Sequence, residues 1–161
     1  MKSPVRLAVR SRISHVLIMS LVLLGIAGAA WAGDKEDVAA ATKKWAEVFV
    51  LDNPDPILAL YDKEGVLWGT LSPTRRDDPA ALRDYFVKAF AALPGHKVTF
   101  GDQLIRVYGN TAINTGYYTF SYVKDGEAKN LPARYSFVYA KRGKDWLIVD
   151  HHSSAMPAPA K

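Results

Sequence analysis

The chain has 161 residues, with 21 Lys and Arg against 16 Asp and Glu, and no cysteine. Disulfide stapling, thiolate metal sites and a lipid-modified cysteine are therefore excluded. Four of the basic residues, Lys2, Arg6, Arg10 and Arg12, stand before residue 33, which leaves 17 basic against 16 acidic and no support for nucleic-acid or membrane-surface binding.

The N-terminus reads as a targeting segment. A basic, acid-free start leads into an apolar stretch from about Ile13 to Ala30, and Ala30-Trp31-Ala32 fits the small-x-small pattern before a cleavage site. A transmembrane anchor is the competing reading, but the small-residue end and the polar Gly33-Asp34-Lys35-Glu36-Asp37 favour cleavage. Arg10 and Arg12 are not adjacent, which points to ordinary unfolded export over the twin-arginine route. The expectation is a signal peptide over residues 1–32 and a periplasmic or secreted protein with no membrane association after cleavage. Residues 33–157 then make one domain, and residues 158–161 a flexible tail.

Asp34 to Asp52 reads as a helix, with Val38, Ala41, Trp45, Val48 and Phe49 on one face. Asn53-Pro54-Asp55-Pro56 ends it, and a short helix over Pro56–Tyr61 follows. Val66–Leu71 is a strand and Ser72–Asp78 a polar loop carrying Arg75 and Arg76, which read as a solvated pair more readily than as an anion clamp. Asp78 and Pro79 are the cap and first position of a third helix, striped by Leu82, Tyr85, Phe86, Ala89, Phe90 and Leu93 and stopped by Pro94-Gly95. The period then changes to two. Strands are expected over Lys97–Tyr108, Thr111–Val123, Lys129–Lys141 and Asp145–His152, joined by short turns.

The class is α+β: a curved antiparallel or mixed sheet wrapped around N-terminal helices, with a pocket where the sheet curls away. Apolar residues of both strand parities invite pairing of the other sheet face with a second copy.

The run from Tyr139 to Pro157 carries a basic turn at Arg142-Gly143-Lys144, then Trp146, the apolar Leu147-Ile148-Val149, a His-containing stretch and a terminal Pro. With the element order, and with Tyr61-Asp62 through Trp68 and Leu82-Arg83-Asp84-Tyr85-Phe86, it resembles the cone-shaped nuclear transport factor 2-like superfamily. Within it the nearest likeness is to the association domain of calcium/calmodulin-dependent protein kinase II and its free-standing bacterial, SnoaL-like relatives. The resemblance implies a homodimer or larger ring and a deep pocket, catalytic in some members and only binding in others. It also implies pocket arginines suited to a carboxylate, but the positions where they are expected hold Phe137, Ser153 and, near the third, Tyr118. Arg134 is the substitute expected from the sequence. Nothing in the chain resembles a kinase or a calmodulin target helix.

The stretch Asp150-His151-His152 admits three readings. A metal site is weak, since neighbours on a strand face opposite ways and His151 and His152 cannot chelate together. Asp150 and His152 share a face and suit an acid–base pair, and the resemblance allows isomerase, dehydratase or cyclase chemistry without a cofactor. The third reading has histidines and serines satisfying one another while lining a pocket or a subunit contact. Two functions are compatible with these residues: a non-catalytic module for self-assembly or small-molecule binding, or a cofactor-independent enzyme using Asp150 and His152. The expected ligand-binding residues are Tyr61, Trp68, Tyr118, Arg134 and His152, around a small molecule with anions among the candidates. No metal or cofactor is expected.

Overall fold

A computed structural model describes the backbone of residues 16–158 and the side chains of residues 33–158, so the side chains of the expected signal peptide and residues 159–161 lie outside the described residues. In chain order the elements are α1 (Val16–Phe49), α2 (Pro54–Leu58), β1 (Tyr61–Trp68), β2 (Arg75–Arg76), α3 (Pro79–Ala92), β3 (Lys97–Tyr108), β4 (Thr111–Lys124), β5 (Glu127–Arg142) and β6 (Asp145–Ala155). The α+β class and the four-strand meander match the expectation from sequence. Asp34–Lys161 is one compact unit with its own hydrophobic core.

Four element starts differ from expectation, β5 among them at Glu127 in place of Lys129, and the expected loop Ser72–Asp78 contains the short strand β2. α1 begins before Asp34, because no proline interrupts the run ahead of it. α2 and β1 each begin earlier than expected. Asn53 caps α2 by accepting a hydrogen bond from the Asp55 amide at 2.9 Å, and the chain is extended by Tyr61. α3 starts where its cap predicts, with the Asp78 side chain accepting from Ala81 N at 2.8 Å and Pro79 in the first turn.

The strands form one sheet in the order β2-β1-β6-β5-β4-β3. β1 runs parallel to β6, and every other pair is antiparallel. Between β4 and β5 the loop is Asp125-Gly126, with φ of 54° and 77°, the positive angles that a two-residue hairpin turn demands and that Asp-Gly supplies.

The inner sheet face meets α1 and α3 in an aromatic core. Trp45 stacks on Phe49 at 5.0 Å between centroids and lies 5.7 Å from Phe137, while Phe86 and Phe90 close the cluster from α3. One irregularity decides which side chains of β6 reach the interior. Tyr139 pairs with Ile148 but Val138 pairs with Asp150, so Val149 is an extra residue in β6. Trp146 and Ile148 face the core before the bulge, and after it His151 and Ser153 do.

Candidate functional site

A cavity of about 380 Å³ opens between the sheet, α1, α3 and the loop after β1. Its walls are largely apolar: Trp45 and Phe49 from α1, Phe86 and Ala89 from α3, and Phe120 and Leu131 from the sheet. The polar groups gather at the buried end, where Thr70, Tyr118, His151 and Ser153 line the wall. Arg76 and Lys88 also line the cavity, and among the described residues no Asp or Glu does.

The protons at the buried end are ordered by what each group can donate. Trp45 Nε1, a donor only, gives its hydrogen to Tyr61 Oη at 3.3 Å. The Tyr61 hydroxyl is then left to donate to His151 Nδ1, 2.7 Å away. With Nδ1 accepting, the ring proton sits on Nε2, which faces Tyr118 Oη at 3.3 Å. The Tyr118 hydroxyl also approaches those of Ser153 and Thr70, which bond to each other. A chain of hydrogen-bonded side chains thus runs from α1 to the cavity wall.

Burial, and next the charge of His152, push His151 down to about 3, so its ring is neutral near pH 7. Burial also raises Tyr61 and Tyr118 above the ordinary phenol range. No group on this wall changes charge near neutrality. The arrangement offers hydrogen bonds to a ligand but no base poised for proton abstraction.

The expected site residues divide between two faces. Tyr118 lines the cavity, and Tyr61 stands behind it, joined through His151. His152, Arg134, Trp68 and Asp150 do not join them. His152 is exposed on the outer sheet face beside a depression of about 290 Å³ that also takes in Arg134, Ser136 and Ser154. Arg134 Nε donates to Ser154 Oγ at 3.1 Å there, so the expected cation at the pocket is on the far side of the sheet. Trp68, 43% exposed, pairs with His152 across β1 and β6 and lies under Arg75 at 5.8 Å. Asp150 does share the outer face with His152. Its carboxyl is raised by burial, against the opposing effects of His152 and a bond from Trp68. One residue separates the two arrangements: strict alternation from Trp146 and Ile148 carries Asp150 and His152 inward, and the bulge at Val149 reverses the parity.

Sequence alternation also assigns His151 to the wrong face and leaves Arg76 in solvent. In the β1–β2 ladder Arg76 pairs with the buried Leu67 and Arg75 with the exposed Trp68, so the two arginines diverge. That register was the missing signal. The three positions where the resemblance expects arginine are all inside: Tyr118 and Ser153 line the cavity, and Phe137 lies 4.2 Å from the His151 ring. All three are neutral.

The loop after β1 passes so close to α3 that a Cβ on Gly69 would meet the ring of Tyr85. Gly69→Ala is therefore expected to destabilise by about 1–3 kcal/mol through overpacking of the cavity wall. A lower urea midpoint at unchanged slope checks it, and an unmoved midpoint shows that the loop gives way freely.

The family model for the calcium/calmodulin dependent protein kinase II association domain matches residues 34–157. A solved protein of Xanthomonas campestris, provisionally named as such an association domain, is 35% identical, with 74% of this chain and 86% of that one covered at a TM-score of 0.69. A protein of Streptomyces avermitilis, provisionally named a dehydratase of the nuclear transport factor 2-like family, is 15% identical over 79% of this chain and 99% of that one, TM-score 0.72. One of Novosphingobium aromaticivorans, provisionally named an aromatic ring hydroxylase, is 22% identical over 78% and 92%, TM-score 0.70. These last two share the fold. No curated protein matches.

Proposed function

We propose, of a chain that belongs to the calcium/calmodulin-dependent protein kinase II association-domain family, that it is an exported, non-catalytic module that self-assembles and holds a small molecule in its cavity. The observation that carries the binding reading is the lining itself. An apolar cavity ends in hydroxyl groups, with a neutral imidazole and, among the described residues, no carboxylate to act as base. The proton-transfer alternative rests on Asp150 and His152, which are on the face away from this cavity. Native mass spectrometry of protein purified from its source tests the reading directly. Retained small molecules, lost on denaturation, are expected; a clean apo mass at every subunit number counts against it.

Self-assembly is supported by the outer face of the sheet, where Trp68, Leu104, Tyr108 and Tyr117 are large, apolar and exposed. A stable contact there needs at least roughly 1,000 Å² of buried surface. Leu104→Asp is expected to convert the assembly to monomers in light scattering at micromolar concentration without changing the far-ultraviolet circular dichroism. A wild-type protein that scatters as a monomer sinks the reading.

Export is supported by the basic start, apolar run and Ala30-Trp31-Ala32. Among the described residues no helix is long and apolar enough to cross a membrane. N-terminal sequencing of the mature protein is expected to begin at Gly33, and an intact Met1 chain in the membrane fraction would contradict it.

A further inference from the structure

We propose that the cavity takes an amphipathic monoanion in one orientation, its carboxylate on the Arg76 guanidinium toward the open side and an oxygen at its other end against Tyr118. The inference rests on the reading of the cavity as a small-molecule site.

Arg76 is built unlike its neighbours. Arg75 is paired with Asp77, Arg83 with Asp55 and Arg142 with Asp62. Arg76 has no ion pair among the described residues; its contacts are the Thr74 hydroxyl and the face of Tyr85, 6.0 Å from the guanidinium. Its Nε is buried with no hydrogen-bond partner among the described residues. A buried donor on a charged group costs stability unless something accepts from it, and a planar guanidinium fits the two oxygens of a carboxylate. Lys88, the other cation on the lining, already has Asp84 at 2.8 Å. One uncompensated positive charge remains, which matches a monoanion and not a dianion.

The two ends of the cavity fix the orientation. Lys88 and Leu71 are exposed, and Lys88 lies one turn along α3 from Tyr85, so the Arg76 end is the open one. Tyr118, His151 and Ser153 are nearly inaccessible at the other end. A carboxylate there would meet only neutral groups, after full desolvation. An oxygen that accepts from Tyr118 and donates to Ser153 or Thr70 suits that end, and an apolar body suits the aromatic walls between.

Calorimetry with three probes tests this: 3-(4-hydroxyphenyl)propanoate, its primary amide, and 3-phenylpropanoate. The acid is expected to bind wild-type protein roughly tenfold to a hundredfold more tightly than the amide, and more tightly than 3-phenylpropanoate by up to about tenfold. Arg76→Gln should erase the acid–amide gap, and an unchanged far-ultraviolet circular dichroism spectrum and urea midpoint show that the variant is folded. Arg76→Lys should restore part of the gap, since the charge returns without the fork. Tyr118→Phe should erase the advantage of the phenol and leave the acid–amide gap. Equal binding of acid and amide to wild-type protein overturns the anion assignment and leaves the small-molecule reading standing. A gap that survives Arg76→Gln assigns the anion to another group and also overturns it. Failure of all three probes to bind at millimolar concentration brings down both.

Discussion

Lowering the pH from about 6.5 toward 3 is expected to destabilise the domain through a single imidazole, His151. The unfolded chain carries this group with its ordinary value of 6.5, and the native state holds it at about 3 by burial. Between these values the unfolded state binds the proton and the native state does not, so stability rises with pH across that window and falls as acid is added. Each unit of difference is worth about 1.4 kcal/mol, so roughly 2–3 kcal/mol should be lost between pH 6.5 and 4.5. Protonation would also put a hydrogen on Nδ1, where the Tyr61 hydroxyl already donates.

Two carboxyls flank the window and are separable from it. Asp62, held below its ordinary range first by the bond from Arg142 Nε at 2.7 Å, adds stability that is lost only as the pH falls through the carboxylate range. Asp150, raised by burial, acts in the opposite sense, because its native form holds a proton that the unfolded form has released. Urea denaturation of wild-type protein and His151→Gln at pH 7, 5.5 and 4.5 isolates the histidine. The variant is less stable at pH 7, and its curve should be flatter, so the two converge in acid. Parallel curves would refute a neutral, buried His151.

The layers of the fold were legible because the helices and the meander strands carry local signals. Asp78-Pro79 before the Leu82, Phe86, Phe90 stripe fixes α3, and the turns at Gly109, Asp125-Gly126 and Gly143 fix the meander. The site was legible only in part. Tyr118 and the functional stretch in β6 stand out by residue type, but which of two adjacent histidines faces the cavity depends on one unpaired residue, Val149. A bulge leaves no mark in an apolar run such as Leu147-Ile148-Val149, where either parity looks buried. Arg76 was hidden for a related reason: a two-residue strand is too short for alternation to show, and its register is set by Leu67 and Trp68 across the ladder. In both places a tertiary pairing, absent from the local sequence, decides which side chain meets the ligand.

Trp45 joins the core to the site, and two substitutions separate its roles. Its ring is almost fully buried and touches Phe49, Phe100, Tyr118, Phe137 and His151. Trp45→Ala is expected to cost about 3–5 kcal/mol, a large share of the roughly 5–15 kcal/mol that hold a domain of this size together. Thermal unfolding should show it as a fall of many degrees, and a loss under about 1 kcal/mol would mean that the core repacks around the cavity. Trp45→Phe keeps most of the packing and removes the Nε1–H that Tyr61 Oη accepts, which makes the Tyr61 hydroxyl a weaker donor to His151 Nδ1. In wild-type protein, nitrogen shifts of the His151 ring should report the Nε2–H tautomer alone. In Trp45→Phe the share of that tautomer should fall, because the bond from Tyr61 to Nδ1 that favours it is weakened. A pure Nε2–H tautomer in that variant would place the origin of the direction at the Tyr118, Ser153 and Thr70 end. If Trp45 sets it, a side chain on α1 biases whether His151 turns a hydrogen or a lone pair toward Tyr118 at the cavity wall.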